Sequence, residues 1–193
     1  FLKNIIRFIS RKNGFAATFM AKPFPNRPGN GLHTHFSLLD KNKSNVFDNG
    51  TAMGSDEMLA CVGGLLTHMK QSTLIFAPHS NSYRRLAPNQ HAPINLTWGY
   101  ENRTAAIRIP GGKKSNKRIE HRVSGADTNI YLVLAATLGA ALDGLRNRTE
   151  APKPVSGDCS DDYIDREGAL PATWLEAINY FEGGDLIGGT LNS

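Results

Sequence analysis

The 193-residue chain carries only two cysteines, Cys61 and Cys159, too few for a scaffold held by several disulfides. Its apolar runs fall far short of the roughly 20 residues that a membrane-spanning helix needs, which excludes a helical membrane protein. The P-loop pattern ending in Gly-Lys-Ser/Thr is missing, and no Gly-x-Gly-x-x-Gly follows a strand. A bound nucleotide would then be held by side chains and a metal. No cysteine or histidine spacing suits a structural zinc. No basic segment followed by an apolar run and a cleavage site opens the chain, so the expected setting is a reducing cytoplasm. Internal repeats and low-complexity runs are also missing.

Apolar residues make up 40% and charged residues 20%, a mixture that builds a buried core and excludes a fully disordered chain. Basic residues number 22 against 17 acidic ones, for a net charge of +5. Leu2, Ile5, Ile6 and Ile9 recur with helical spacing, and Gly14 offers a stop. This helix starts at residue 1 without a cap, and the chain closes on a loop-like Gly188–Ser193. Both ends are therefore expected to be cut from a larger protein.

Phe15–Met20 reads as a strand, followed by a Pro- and Gly-rich loop over Pro23–Gly31. Leu32–Leu39 alternates strictly, with Leu32, Thr34, Phe36 and Leu38 on one face and His33, His35, Ser37 and Leu39 on the other. Ser55 or Asp56 caps a helix whose stripe is Met58, Val62, Leu65 and Met69. Pro78–Pro93 is irregular, Ile94–Tyr100 is extended, and Ala105–Ile109 is a strand stopped by Pro110. Lys117–Val123 alternates again, setting Arg118, Glu120 and Arg122 against Ile119, His121 and Val123. Asn129–Arg146 is apolar nearly all round and predicts a well-buried helix; Leu170–Phe181 predicts a last one, with Pro171 in its first turn. The fold class is α+β, mostly antiparallel strands with helices packed on one side.

Three constellations carry possible chemistry. The His33/His35/Ser37 row suits metal, phosphate or proton transfer, or is merely the polar outer face of a strand. Arg118/Glu120/Arg122 places two guanidiniums around one carboxylate, which holds it ionised; a surface salt-bridge ladder has the same pattern. Arg84, Arg85, Arg103, Arg108, Arg118 and Arg122 crowd adjoining segments and point to an anionic ligand. His33 and Glu120 are candidate ligands for a hard cation. A nucleic-acid binder is disfavoured because no aromatics interleave with the basic residues and the histidine row would go unexplained.

Together these segments resemble the catalytic domain of the glutamine synthetase family. The resemblance rests on Lys22-Pro23 with Gly29–Leu38, Asn81–Leu86, Asn102–Pro110, Arg118–Arg122, and Asn129–Leu132 leading to Leu142–Leu145, all in family order. It implies a curved, mainly antiparallel sheet forming part of the catalytic barrel, with helices on its outer side. Residues 1–193 would be that domain, truncated at both ends, without the N-terminal β-grasp domain and the upstream strands. The implied reaction is ATP-dependent ligation of ammonia or an amine to the γ-carboxylate of glutamate through γ-glutamyl phosphate. Close alternatives are a γ-glutamylpolyamine or γ-glutamylamine synthetase and a non-catalytic relative; intact His33, Glu120, Arg85, Arg103 and Arg122 argue against the last.

By the same resemblance, His33 and Glu120 bind Mg²⁺ or Mn²⁺. His35, Ser37, Arg103, Arg108, Lys114 (Lys113 being its neighbour) and Arg118 bind ATP. Gly29, Arg85 and Arg122 bind glutamate, and Arg103 and His91 are catalytic. A ring-type homo-oligomer is implied, with no nucleic acid or membrane partner. The chain departs from the family at three points. Pro28 stands where an Asn usually precedes the first glycine, and His91 stands where bacterial glutamine synthetases carry a glutamate before Ala-Pro. The context of the adenylylated tyrosine is also missing, although Tyr163 lies nearby. His91 leaves both ammonia and larger amines open as acceptor.

Overall fold

Four strands of three residues each form the sheet on which the polar rows are mounted: β1 (Thr34–Phe36), β2 (Trp98–Tyr100), β3 (Ile107–Ile109) and β4 (Ile119–His121). The structure is a computed structural model, and it describes residues 1–111, 116–159, 163–165 and 167–184. The strand order is β1-β4-β3-β2. β1 pairs with β4, and β4 with β3, antiparallel, whereas β2 and β3 run parallel. The sheet is thus mainly antiparallel, as expected, with one parallel pair that makes it mixed. Only residues 101–106 join the two parallel strands, far fewer than the usual crossover of about a dozen residues, and Glu101 turns the chain there with a φ of 53°.

Period-two alternation gives the sheet two distinct faces. Thr34 and Phe36, Trp98 and Tyr100, Ile107 and Ile109, and Ile119 and His121 share one face by register. That face joins the apolar core with Met58, Val62, Leu65, Phe76 and Val133. The opposite face carries a single cross-strand row, His35–Glu120–Arg108–Gly99.

Among the described residues the helices are α1 (Leu2–Lys12), α2 (Asp56–Thr67), α3 (Met69–Phe76), α4 (Ile130–Asn147) and α5 (Trp174–Glu182). Ser55 caps α2 as expected, accepting from the Met58 amide at 3.1 Å, and Asp56 and Glu57 complement the positive end of the helix. α2 packs on α4, and α3 on α5. Ser80–Arg84 forms one 3-10 turn leading directly to Arg85.

Three expectations are corrected. Phe15–Met20 is not a strand; it pairs with no described strand, and Phe15 and Met20 are exposed. α4 is not buried all round. It buries its small face, Val133, Ala136, Thr137, Ala140, Ala141 and Gly144, and leaves Tyr131, Leu134, Leu138 and Leu142 exposed. The small face wins because Gly64 of α2 and Gly144 of α4 let the two backbones approach closely. Finally, α5 begins at Trp174, capped by Thr173, so Pro171 precedes the helix. None of the described helices is long and apolar enough to cross a membrane.

Candidate functional site

Glu120 lies at the centre of the polar face and is only 2% exposed. Its partners come from every direction along the sheet. Arg122, two residues on, donates from Nη1 to Oε1 at 2.6 Å. Arg108, directly across on β3, donates from Nη1 to Oε2 at 2.9 Å. His33 Nδ1 lies 3.2 Å from Oε1, and His35 Nε2 lies 3.9 Å from it. Burial alone would raise the Glu120 carboxyl, but Arg122 and Arg108 outweigh it and hold the group below the usual carboxylate range. Glu120 is therefore a buried anion at neutral pH.

The imidazole of His33 has the opposite fate. Burial, then the charge of Arg122, lowers it to about 4, so at neutral pH it is uncharged and a ring nitrogen is available as a ligand. A neutral imidazole and an ionised carboxylate oxygen 3.2 Å apart form a donor pair suited to one divalent ion. Among the described residues no third His, Cys, Asp or Glu completes a metal cluster.

The arginines form the surrounding wall. Arg85 is 5% exposed and is fixed by two backbone carbonyls, donating to Val123 O at 2.7 Å and to Arg122 O at 3.3 Å. Burial lowers it to about 10, which still leaves it charged at neutral pH. It runs beside the glycine loop: a Cβ on Gly29 would sit 3.1 Å from Arg85 Cγ, and one on Gly31 2.9 Å from Arg85 Nη2. At Gly29 a Cβ would also lie 2.7 Å from the backbone oxygen of Ala21, so that position excludes a side chain. Arg118 donates from Nε to His35 Nδ1 at 3.3 Å. Arg108 also pairs with Glu101 at 3.1 Å; burial opposes its charge, and the two carboxylates more than restore it.

His33, His35, Gly29, Arg85, Arg108, Arg118, Glu120 and Arg122 thus lie together in one connected cluster, which brings Gly29, Arg85 and Arg108 to the two sequence rows. Ser37 is exposed on the alternating face that also carries His35. Arg103 is exposed in the β2–β3 connection and makes no ion pair with the described residues. His91 is exposed in a loop, at a φ of 56°. Lys114 and Lys113 lie outside the described residues.

Two participants have no role assigned from the sequence. Glu101 binds Arg108 and the Gly111 amide, and its only sequence signal is a lone acid after an apolar strand. Lys22, in a Pro- and Gly-rich loop, is 6% exposed rather than solvated.

A sequence profile described as the catalytic domain of glutamine synthetase matches residues 1–193. The chain belongs to the glutamine synthetase family. It is 39% identical over 181 residues to a γ-glutamylputrescine synthetase of Escherichia coli K12, covering 93% of this chain and 38% of that protein. It is 42% identical over 181 residues to a glutamine synthetase of Thermococcus kodakarensis, covering 91% of this chain and 40% of that one. The structure of GmaS in complex with ADP superposes with a TM-score of 0.86 at 32% identity, covering 98% of this chain and 45% of the other. The chain thus spans about two-fifths of the length of the curated relatives it matches. The α+β architecture inferred for the glutamine synthetase barrel is the one found.

Proposed function

We propose that this chain is the carboxyl-side half of the active site of an ATP-dependent ligase that joins ammonia or an amine to the γ-carboxylate of glutamate. The observation that carries this reading is the convergence of Glu120, neutral His33 and the charged Arg85, Arg108 and Arg122 on one face of the sheet. Such a face suits a polyanionic pair of substrates: ATP beside an amino acid with two carboxylates.

In the first step an oxygen of the glutamate γ-carboxylate attacks the γ-phosphorus of ATP, and ADP leaves. In the second, the amine nitrogen attacks the acyl carbon, phosphate leaves, and the nitrogen loses a proton. Guanidiniums held in place before the substrates arrive would favour the first step, because they stabilise accumulating negative charge without reorganising. Arg85 and Arg122, with Gly29 keeping the backbone open, receive glutamate. His35, Ser37, Arg108, Arg118 and Lys114 serve the nucleotide. Arg103 reaches between the transferred phosphoryl group and glutamate. His33 and Glu120 would hold a Mg²⁺ or Mn²⁺, which neutralises phosphate charge; their donor types and spacing fit such an ion.

His91 favours a second reading, in which the acceptor is a larger amine such as a polyamine. An imidazole lacks the fixed negative charge with which a carboxylate attracts ammonium, and a γ-glutamylputrescine synthetase stands beside glutamine synthetases among the relatives. Free Cys61 and Cys159 support a cytoplasmic setting. Apolar surface left on α4, including Leu134, Leu138 and Leu142, supports a homo-oligomer that covers it.

The test is glutamate-dependent ATP hydrolysis by the full-length protein, with amide formation measured for ammonium, putrescine, spermidine and ethanolamine. Turnover with any of these supports the ligase, and the preferred amine decides between the readings. No glutamate-dependent hydrolysis with any acceptor refutes it.

A further inference from the structure

Lys22 is a buried ammonium whose described partners are neutral. Its Nζ donates to Arg27 O at 2.6 Å and to the side-chain oxygen of Gln90. No carboxylate among the described residues lies within ion-pair reach of it. Its backbone is equally fixed: the Lys22 amide donates to Asn81 Oδ1 at 2.8 Å, and Asn81 Nδ2 donates to Lys22 O at 3.0 Å. Burying a cation without a counter-charge is unfavourable, so its retention calls for a reason beyond packing.

The partners supply that reason. Arg27 belongs to the loop that runs through Gly29, which packs directly on Arg85. Asn30 of the same loop donates from its amide to Ala21 O at 2.8 Å, so the loop closes back on the residue before Lys22. Gln90 sits between Asn89 and His91, whose φ values are 60° and 56°. Neither is a glycine; Asn and His adopt that left-handed region more readily than other L-residues, and two of them flanking one residue make a sharply turned segment. Among the described residues, the Lys22 side chain is the tie at the middle of this left-handed segment.

We infer that Lys22 is a positioning residue that locks the loop carrying His91 to the glycine loop beside Arg85, through Gln90 and the Arg27 carbonyl. This rests on the ligase reading above. Its role is to keep the acceptor side of the site in register with the glutamate side while the acyl phosphate exists. The lock then favours attack by the amine over attack by water.

The experiment measures phosphate released per amide formed, with the full-length protein at saturating glutamate, ATP and amine. Lys22→Met and Gln90→Leu are expected to raise that ratio several-fold and to raise the KM for the amine. The KM for ATP should stay within about twofold. Gln90→Glu, which gives Lys22 a charged partner, should keep the ratio near that of the unaltered protein. Circular dichroism and thermal melting establish which variants are folded, and if Lys22→Met is not, the two Gln90 variants carry the test. An unchanged ratio in folded Gln90→Leu overturns the inference, as does a uniform loss of rate with all KM values and the ratio preserved. If the unaltered protein shows no glutamate-dependent hydrolysis, the ligase reading itself fails; that outcome is distinct from a failure of the lock.

Discussion

Glu120 and Arg122 lie two residues apart on one extended segment and are joined by a 2.6 Å charge-assisted hydrogen bond. The bond exists because period-two alternation puts both side chains on the polar face of the sheet, where neither is solvated. Glu120 is at once the counter-charge of Arg122 and of Arg108. Removing it would leave guanidiniums facing one another with little water. Glu120→Ala is therefore expected to destabilise the protein by about 3–5 kcal/mol, the usual result of stripping one partner from a buried ion pair. Glu120→Gln should cost less, since it keeps an acceptor oxygen. Both should abolish amide formation. Chemical denaturation separates the two effects, and an Ala variant as stable as the parent contradicts the picture of a buried charge centre.

A second prediction concerns acid. His121 is fully buried, its ring 4.4 Å from that of Phe76, and neither ring nitrogen has a hydrogen-bond partner. Burial, reinforced by His33, lowers it to about 3 from an ordinary value of 6.5. The unfolded chain therefore binds a proton between about pH 6.5 and 3 that the folded one refuses. Stability is fully present above pH 6.5 and falls as the pH drops through that window, by about 1.4 kcal/mol per pH unit for each such proton. His121→Leu should remove one proton's share of this slope, measured as urea midpoints from pH 7 to pH 4. Identical slopes for the two proteins would contradict the assignment.

The two rows, His33/His35/Ser37 and Arg118/Glu120/Arg122, were legible because alternation is a local rule, and the burial of Thr34, Ile119, His121 and Val123 opposite them follows it. The partner of each row was not legible from spacing. Glu120 meets His35 and Arg108 only through β-pairing, and His35 is distant in sequence. Resemblance to the family supplied what spacing did not. The parallel β2–β3 pair escaped prediction because so short a connection normally makes an antiparallel hairpin. The orientation of α4 escaped because its leucines outweigh its small residues on any apolar scale, while close approach to α2 is decided by the absence of side chains. Lys22 enters the sequence only as part of a matching motif, because its burial depends on Gln90 and the Arg27 carbonyl, which spacing does not bring to it.

The acceptor preference gives a third prediction. His91 is exposed and held at a φ of 56° in its loop, so a substitution there changes chemistry with little disturbance of the core. His91→Glu places an anion where the present side chain is an imidazole, and an anion both attracts ammonium and accepts its proton. The expected outcome is a rise in kcat/KM for ammonium relative to putrescine, on the order of tenfold for about 1.4 kcal/mol of differential attraction. Competition between the two amines at fixed glutamate and ATP measures it. An unaltered ratio would show that the residue does not meet the acceptor.

The glutamate clamp gives a fourth. Arg85 spends two N–H groups of its fork on the carbonyls of Val123 and Arg122. Lysine keeps the charge but cannot present the same planar fork to two carbonyls and a carboxylate. Arg85→Lys should raise the KM for glutamate by one to two orders of magnitude, on the scale of about 1.5–3 kcal/mol for a charge-assisted hydrogen bond, while the KM for ATP moves little. Parallel rises in both constants would place Arg85 outside the glutamate subsite.

The last prediction tests the packing that sets the helices against the sheet. A Cβ on Gly64 would lie 2.3 Å from Ala140 O and 2.5 Å from Gly144 Cα; one on Gly144 would lie 2.3 Å from Ala60 O. Both obstacles are backbone, so the helices would have to separate. Helix propensity alone favours alanine over glycine by about 1 kcal/mol. Overpacking opposes it by about 1–3 kcal/mol, occasionally more, and with rigid backbone on the other side the steric cost should prevail. Gly144→Ala is therefore expected to destabilise, and Gly64→Val to destabilise further. Gly183→Ala provides the control, because a Cβ there meets only Asn179 O at 3.5 Å, and its effect should stay within about 0.5 kcal/mol. Urea denaturation of the three variants decides the matter: if Gly144→Ala gains stability as propensity alone dictates, the close contact between α2 and α4 is not what orients α4.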